Sequence, residues 1–147
     1  MIEIPVERLP GTEDLPYPAY ATPGSSGVDL QAALAAPIIV APGEIVLVPT
    51  GLRMAIPPGF EGQIRPRSGL AWKHGITVLN APGTVDADYR GEIAVILINL
   101  GRESFRLERG HRIAQLVLAK VERIAWNTEA ELTDSIRGGG GFGHSGA

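Results

Sequence analysis

The chain has 147 residues, 44% of them hydrophobic and 20% charged, with a net charge of −3 and a pI near 5.6. That length suits one domain with a real core, and no overall basic field favours binding to long nucleic acid. Cysteine is absent, which excludes disulfides, thiolate metal sites and a cysteine nucleophile.

In chain order, the apolar segments are short and rich in Val, Ile and Leu. They are IEIPV (Ile2–Val6), PIIV (Pro37–Val40), EIVLVPT (Glu44–Thr50), LRMAI (Leu52–Ile56), EGQIRP (Glu61–Pro66), GITVL (Gly75–Leu79), EIAVILIN (Glu92–Asn99), SFRLE (Ser104–Glu108) and RIAQLVLAKV (Arg112–Val121). The 19 glycines and 12 prolines punctuate them. Turn signals about every ten residues predict an all-β sandwich or barrel. LRMAI alternates, with Leu52, Met54 and Ile56 on one face. IAVILI does not alternate, so both its faces are expected to be covered, which places it at a subunit interface. Helical signals are weak: SGLAWKHG predicts a turn or two with Ser68 as N-cap, and TEAELTD at Thr128–Asp134 one more. The organisation expected is one domain with a C-terminal arm over 1–136 and a glycine-rich tail over 137–147. MIEIPVERLPG has no positive region ahead of a long apolar stretch, and IAVILI is far short of the ~20 residues a membrane helix needs. The expectation is a cytoplasmic protein without membrane or nucleic-acid partners.

Several chemistries are closed. His74, His111 and His144 lack zinc-ligand spacing, and no G-x-S-x-G elbow or phosphate-binding P-loop occurs. The G-x-G-x-x-G in the tail has no preceding strand, so it carries no dinucleotide signal. Five polar, glycine-bearing stretches between the strands remain. SSGVDLQAA holds Asp29, a turn aspartate or a functional carboxylate. RPRSGLAWKHG sets Arg67, Ser68 and Gly69 where a strand hands over to a helical turn, either a capped turn or a phosphate cradle. LNAPGTVDADYRGEIAV carries Asp86 and Asp88, which in an extended chain share a direction. They suit a cation, a base acting on water, or an acidic hairpin turn. In GHRIAQLVLAK, Gln115 interrupts an apolar strand and needs partners if buried. The tail RGGGGFGHSGA offers accessible backbone N–H groups, a charge at Arg137 and a stacking ring at Phe142; the plain alternative is a flexible end.

Together and in this order, SGVDLQA, PRSGLA, GTVDADYRGE, RIAQLV and RGGGGFGHSG resemble the five motifs of the trimeric deoxyuridine triphosphatase (dUTPase) family, over about residues 25 to 146. The resemblance implies an antiparallel, jelly-roll-like β-barrel assembled as a homotrimer with exchanged C-terminal arms. It implies hydrolysis of dUTP to dUMP and pyrophosphate with Mg²⁺. Asp86 would activate the water attacking the α-phosphorus in line. Arg67, Ser68, Gly69 and Gln115 would hold phosphates, and Asp29 would face the magnesium through its waters. Asn80 would read the uracil edge, and Tyr89 would lie under the deoxyribose and exclude a 2′-hydroxyl. The tail of another subunit would close as a lid, with Phe142 on the base, Arg137 on the γ-phosphate and Gly143 and Ser145 adding contacts. Ser26, Val28 and His144 depart from the common pattern, and the role of His144 is open. Two rivals share parts of this picture: a dCTP deaminase-type enzyme, which needs a glutamate near the base, with Glu92 the nearest candidate, and a nucleotide-binding regulator without catalysis.

Overall fold

The computed structural model describes residues 1–141. Among them are eleven strands and one helix: β1 (Val6–Arg8), β2 (Val28–Gln31), β3 (Ile38–Val40), β4 (Ile45–Pro49), β5 (Leu52–Met54), β6 (Phe60–Arg65), α1 (Ser68–His74), β7 (Ile76–Val78), β8 (Gly83–Val85), β9 (Ala94–Asn99), β10 (Phe105–Leu107) and β11 (Arg112–Lys120). Every pairing is antiparallel, in the orders β1-β5, β10-β3, β2-β11-β6-β8 and β4-β9-β7. This is the expected all-β, jelly-roll-like barrel.

The core follows from alternation. On β5 and the residues after it, Leu52, Met54 and Ile56 are buried while Arg53 and Ala55 lie between exposure and burial. They meet Leu30, Ile76, Leu97, Leu107 and Ile113, each almost fully buried. Asn99 is the large polar exception, with no exposed surface. It is fully used: Nδ2 donates to the carbonyls of Val40 (2.9 Å) and Glu103 (2.8 Å), and Oδ1 accepts from Gly101 N–H (2.8 Å). Such a satisfied amide ties the end of β9 to β3 and to the loop that follows β9, without the cost of an unpaired buried group.

β9 is covered on one face only. Val95 and Leu97 are buried, whereas Ala94, Ile96 and Ile98 are half-buried on the other face. Across the ladder, Ile98 faces Ile45 and Ile96 faces Leu47, and both β4 residues are exposed. The expectation of two covered faces is therefore not met within one chain.

Three local readings are corrected. Ser68 is the first helical residue and not the cap: extended backbone persists from β6 through Pro66 to Arg67 (φ −93°, ψ 125°), and no side chain caps the helix. The segment Thr128–Asp134 is not helical, because so short a helix needs tertiary packing and this segment is exposed. Two stretches placed between strands are themselves partly strand, β2 around Asp29 and β8 ahead of Asp86. Beyond β11 the chain carries large exposed side chains at Ile124, Trp126, Leu132 and Ile136. No helix among the described residues is long and apolar enough to cross a membrane.

Candidate functional site

β6 organises two polar regions, one at each end. At its C-terminal end, β11 and β2 bring Gln115 opposite both Arg65 and Asp29. Arg67, just past β6, donates Nε–H to Asp29 Oδ1 at 2.9 Å. Gln115 Nε2 donates to the same oxygen at 3.4 Å, and Arg112 Nη1 donates to Oδ2 at 3.2 Å. Arg67 Nη1 also donates to the carbonyl of Arg112 at 3.3 Å. The side chains of Asp29 and Arg67 keep only 15% and 24% of their surface exposed, so their attraction is screened less than that of a surface pair. Asp29 thus fixes two guanidiniums and an amide that share one patch, with the start of α1 at Ser68 and Gly69 exposed beside it.

Arg112 belongs to this cluster and was not singled out from the sequence. In a regular strand, residues 112 and 115 point to opposite faces. A register shift between Arg112 and Ala114 inserts one extra residue against β2, which returns Arg112 to the face of Gln115. No sequence period announces a bulge.

Along β8, running from Ile64 toward the start of β6, lies a cavity of about 310 Å³, lined among others by Asn80, Asp86, Tyr89, Ile64, Val85 and Ile96. Gly83 pairs with Ile64 of β6, and a Cβ there would stand 3.1 Å from Asn80 Nδ2, so glycine lets the hairpin return close to Asn80. Asp86 and Tyr89 belong to one turn, closed by Tyr89 N–H on the Asp86 carbonyl at 3.1 Å. Arg90 clamps it, donating from Nη1 to the carbonyls of Ala87 and Tyr89, both at 2.7 Å. Asp86 is exposed and also borders a second, larger cavity of about 820 Å³ that Asp88, Arg90 and Arg123 help line.

The two regions do not meet within one chain. Val85 pairs with Gly62 near the start of β6, whereas Gln115 pairs with Arg65 at its end. Three residues of strand separate those pairs, about 10 Å at ~3.3 Å each, and Asp86 and Arg67 continue beyond them in opposite directions.

Of the tail, Arg137 and the glycines up to 141 are described. Arg137 Nε donates to the Gly140 carbonyl at 2.6 Å, and Gly138, at φ +50°, donates its N–H to the Ser135 hydroxyl at 3.1 Å. Arg137 is exposed and joins neither polar region. Phe142, Gly143, His144 and Ser145 lie outside the described residues. Among the described residues no group of three His, Asp or Glu side chains is placed to hold a metal ion.

The fold and site define an antiparallel β-barrel with a small pocket of mixed polarity and a separate arginine cluster held by a carboxylate, side chains whose chemistry suits an anionic small molecule. Sequence comparison makes it particular. A model of the dUTPase family matches residues 13–146, and the chain belongs to that family. It is 65% identical over 119 residues to the deoxyuridine 5'-triphosphate nucleotidohydrolase of Aquifex aeolicus, covering 81% of this chain and 79% of that one. It is 62% identical over 129 residues to the Rickettsia felis enzyme of the same name, covering 88% and 87%. Among solved structures, the Staphylococcus bacteriophage 80alpha dUTPase with dUPNHPP superposes with a TM-score of 0.83 at 25% identity over all of both chains. A dUTPase of phage phi11 of S. aureus, described with a structural Mg(II) ion, superposes at 0.80 and 19% identity, covering 90% of this chain and all of that one.

Proposed function

We propose that this protein hydrolyses dUTP to dUMP and pyrophosphate, and that one active site combines the pocket of one subunit with the arginine cluster of another. The observation that carries this reading is the placement of Asp86 and Tyr89 on one clamped turn beside a pocket that Asn80 enters. Asn80 supplies an amide donor and acceptor for a pyrimidine edge. Ile64, Val85 and Ile96 supply apolar walls. Tyr89 forms the floor under the sugar and leaves no room for a 2′-hydroxyl. Such a site rejects cytosine by leaving polar groups unpaired, a larger effect than apolar fit alone provides.

Asp86 takes a proton from a water whose oxygen attacks the α-phosphorus. The bond from that phosphorus to the bridging oxygen breaks, pyrophosphate leaves, and dUMP keeps the new oxygen. Arg67, Arg112, Ser68, Gly69 and Gln115 bind the phosphates. Bound Mg²⁺, faced by Asp29 through its waters, would supply charge neutralisation on the triphosphate. The residues fit an ion bound through its waters: Asp29 is anionic and accepts three hydrogen bonds, one short of the roughly four a carboxylate can take. Mg²⁺ keeps much of its hydration shell in such sites.

The separation of the two polar regions along β6 supports assembly. So do the open apolar face at Ile45, Leu47, Ile96 and Ile98 and the exposed apolar side chains after Lys120. A homotrimer with exchanged arms covers these surfaces and brings an arginine cluster to each pocket. In that reading residues 1–136 form the barrel and its arm, and residues 137–147 form a lid that brings Arg137, Phe142, Gly143 and Ser145 over the nucleotide.

A deaminase is the weaker alternative. Besides Asp86, the carboxylate lining the pocket is Glu92, and its Oε1 accepts Gly51 N–H at 2.8 Å, which employs it in structure. A panel of dUTP, dTTP, dCTP and UTP read by pyrophosphate release, with ammonia measured for dCTP, tests the proposal. Fast release from dUTP alone is expected; equal rates across the panel, or ammonia from dCTP, would overturn it.

A further inference from the structure

Tyr89 is 45% exposed, yet a floor that discriminates a single hydroxyl has to stay in place. Two neighbours hold it. The Tyr89 hydroxyl donates to the Glu92 carbonyl at 2.9 Å. The ring lies so close over Gly91 that a Cβ there would collide with the phenol oxygen and the ring carbons beneath it. Glu92 in turn is anchored through its side chain, its Oε1 accepting Gly51 N–H at 2.8 Å. Gly51 is itself fixed. Its φ of +69° suits glycine, a Cβ there would strike Thr12, and its carbonyl accepts Leu9 N–H at 2.8 Å. Next to Glu92, Ile93 is tied on both sides: its carbonyl accepts the Thr50 hydroxyl at 2.5 Å and its N–H donates to Leu52 at 2.8 Å.

The geometry points to Gly91 and Glu92 as positioning residues that set the height of the Tyr89 ring, and through it the preference for a deoxyribose over a ribose nucleotide. This rests on the reading that Tyr89 lies under the sugar. Glu92 acts twice, through its carbonyl on the hydroxyl and through its carboxylate on the turn between β4 and β5. Gly91 acts by leaving the space the ring occupies. A methyl group at 91 meets chiefly the outer end of a side chain that can swing, so the ring yields rather than the barrel.

The test compares kcat/KM for dUTP and UTP, by pyrophosphate release, in the wild type, Gly91→Ala, Glu92→Ala and Glu92→Gln, each as the full chain. The wild type is expected to prefer dUTP strongly. Gly91→Ala and Glu92→Ala are expected to lower that preference about tenfold or more, since loss of a steric and hydrogen-bonded constraint acts on discrimination itself. KM for dUTP should rise more than its kcat falls. Glu92→Gln keeps an amide oxygen for Gly51 N–H, so its preference should stay near the wild-type value. A loss of stability alone lowers both substrates together and leaves the ratio unmoved. If Glu92→Ala fails to fold, Gly91→Ala decides by itself. A wild-type ratio in Gly91→Ala overturns the inference while the proposed function stands; a wild type indifferent to the sugar overturns the functional reading instead.

Discussion

The two ends of β6 are built by opposite means. At one end a side chain, Asp29, gathers Arg67, Arg112 and Gln115 by charge-assisted bonds. At the other, main-chain groups make the site: a turn closed from Tyr89 N–H to Asp86, carbonyls clamped by Arg90, and a hydroxyl seated on the Glu92 carbonyl. A cluster of charges suits a ligand region that is itself charged and variable in shape, because long side chains adjust. A pocket whose side chains are seated by main-chain bonds suits a rigid ring and sugar, because groups held in place reject the wrong partner. In the proposed reading the arginine cluster supplies affinity for the phosphates, and the pocket supplies identity.

Substitutions can break that contrast one end at a time. The largest effect is expected from Asp86→Asn, which leaves the turn intact through its backbone and removes the base. Turnover of dUTP should fall by about 10³-fold or more, with nucleotide binding by calorimetry and the thermal midpoint nearly unchanged. Wild-type turnover would remove Asp86 from its role. Deleting residues 137–147 should leave the barrel folded and lower kcat/KM by about 10²-fold, the loss of a closing segment that excludes water; unaltered kinetics would show that the tail is no lid. Asp29→Asn should cost about 1.5–3 kcal/mol in kcat/KM, as expected for hydrogen bonds to charged groups. Its effect should be markedly non-additive with Arg67→Ala, because both act on one cluster; strict additivity in a double-mutant cycle would mean that Asp29 does not organise the arginines.

The smallest effect lies away from both ends and serves as a control. The Arg109 guanidinium bonds to Asp14 from Nε at 2.8 Å and from Nη2 at 2.5 Å, and this holds the Asp14 carboxyl at a pKa of about 2 against an ordinary 3.8. A depressed folded-state pKa gives stability that is complete above the ordinary value and is lost as pH falls toward the depressed one. The thermal midpoint should therefore decline from about pH 4 to pH 2, and Asp14→Asn should flatten part of that slope without altering the dUTP to UTP ratio at neutral pH. A slope that survives the substitution unchanged would assign acid sensitivity to other carboxylates.

Much of the barrel was legible because it rests on local pattern. The alternation at Leu52, Met54 and Ile56 reflects burial, and burial leaves a periodic trace; the apolar run through β9 marked a strand but not which of its faces the chain covers. β2 and β8 were not legible as strands. They are short and carry the polar Asp29 and Thr84 in their middle, so partners rather than period hold them extended. The helix start was misplaced by one residue because Ser68 has the chemistry of a cap, while the strand preceding it keeps Arg67 extended. The five motifs were recognisable as an ordered set, and the site residues among them came from resemblance rather than from any spacing rule.

By itself the sequence determined the class of fold, the family and the polar side chains available to a site, since these depend on composition, local pattern and motif order. The tertiary structure decided which of those side chains act together. A bulge in β11 carries Arg112 to Asp29, antiparallel pairing sends Asp86 and Arg67 to opposite ends of one strand, and the turn lays the Tyr89 ring close against Gly91. The first two depend on register between segments far apart in the chain, which no local preference encodes, and the third on a turn whose conformation is fixed by the carbonyls it bonds.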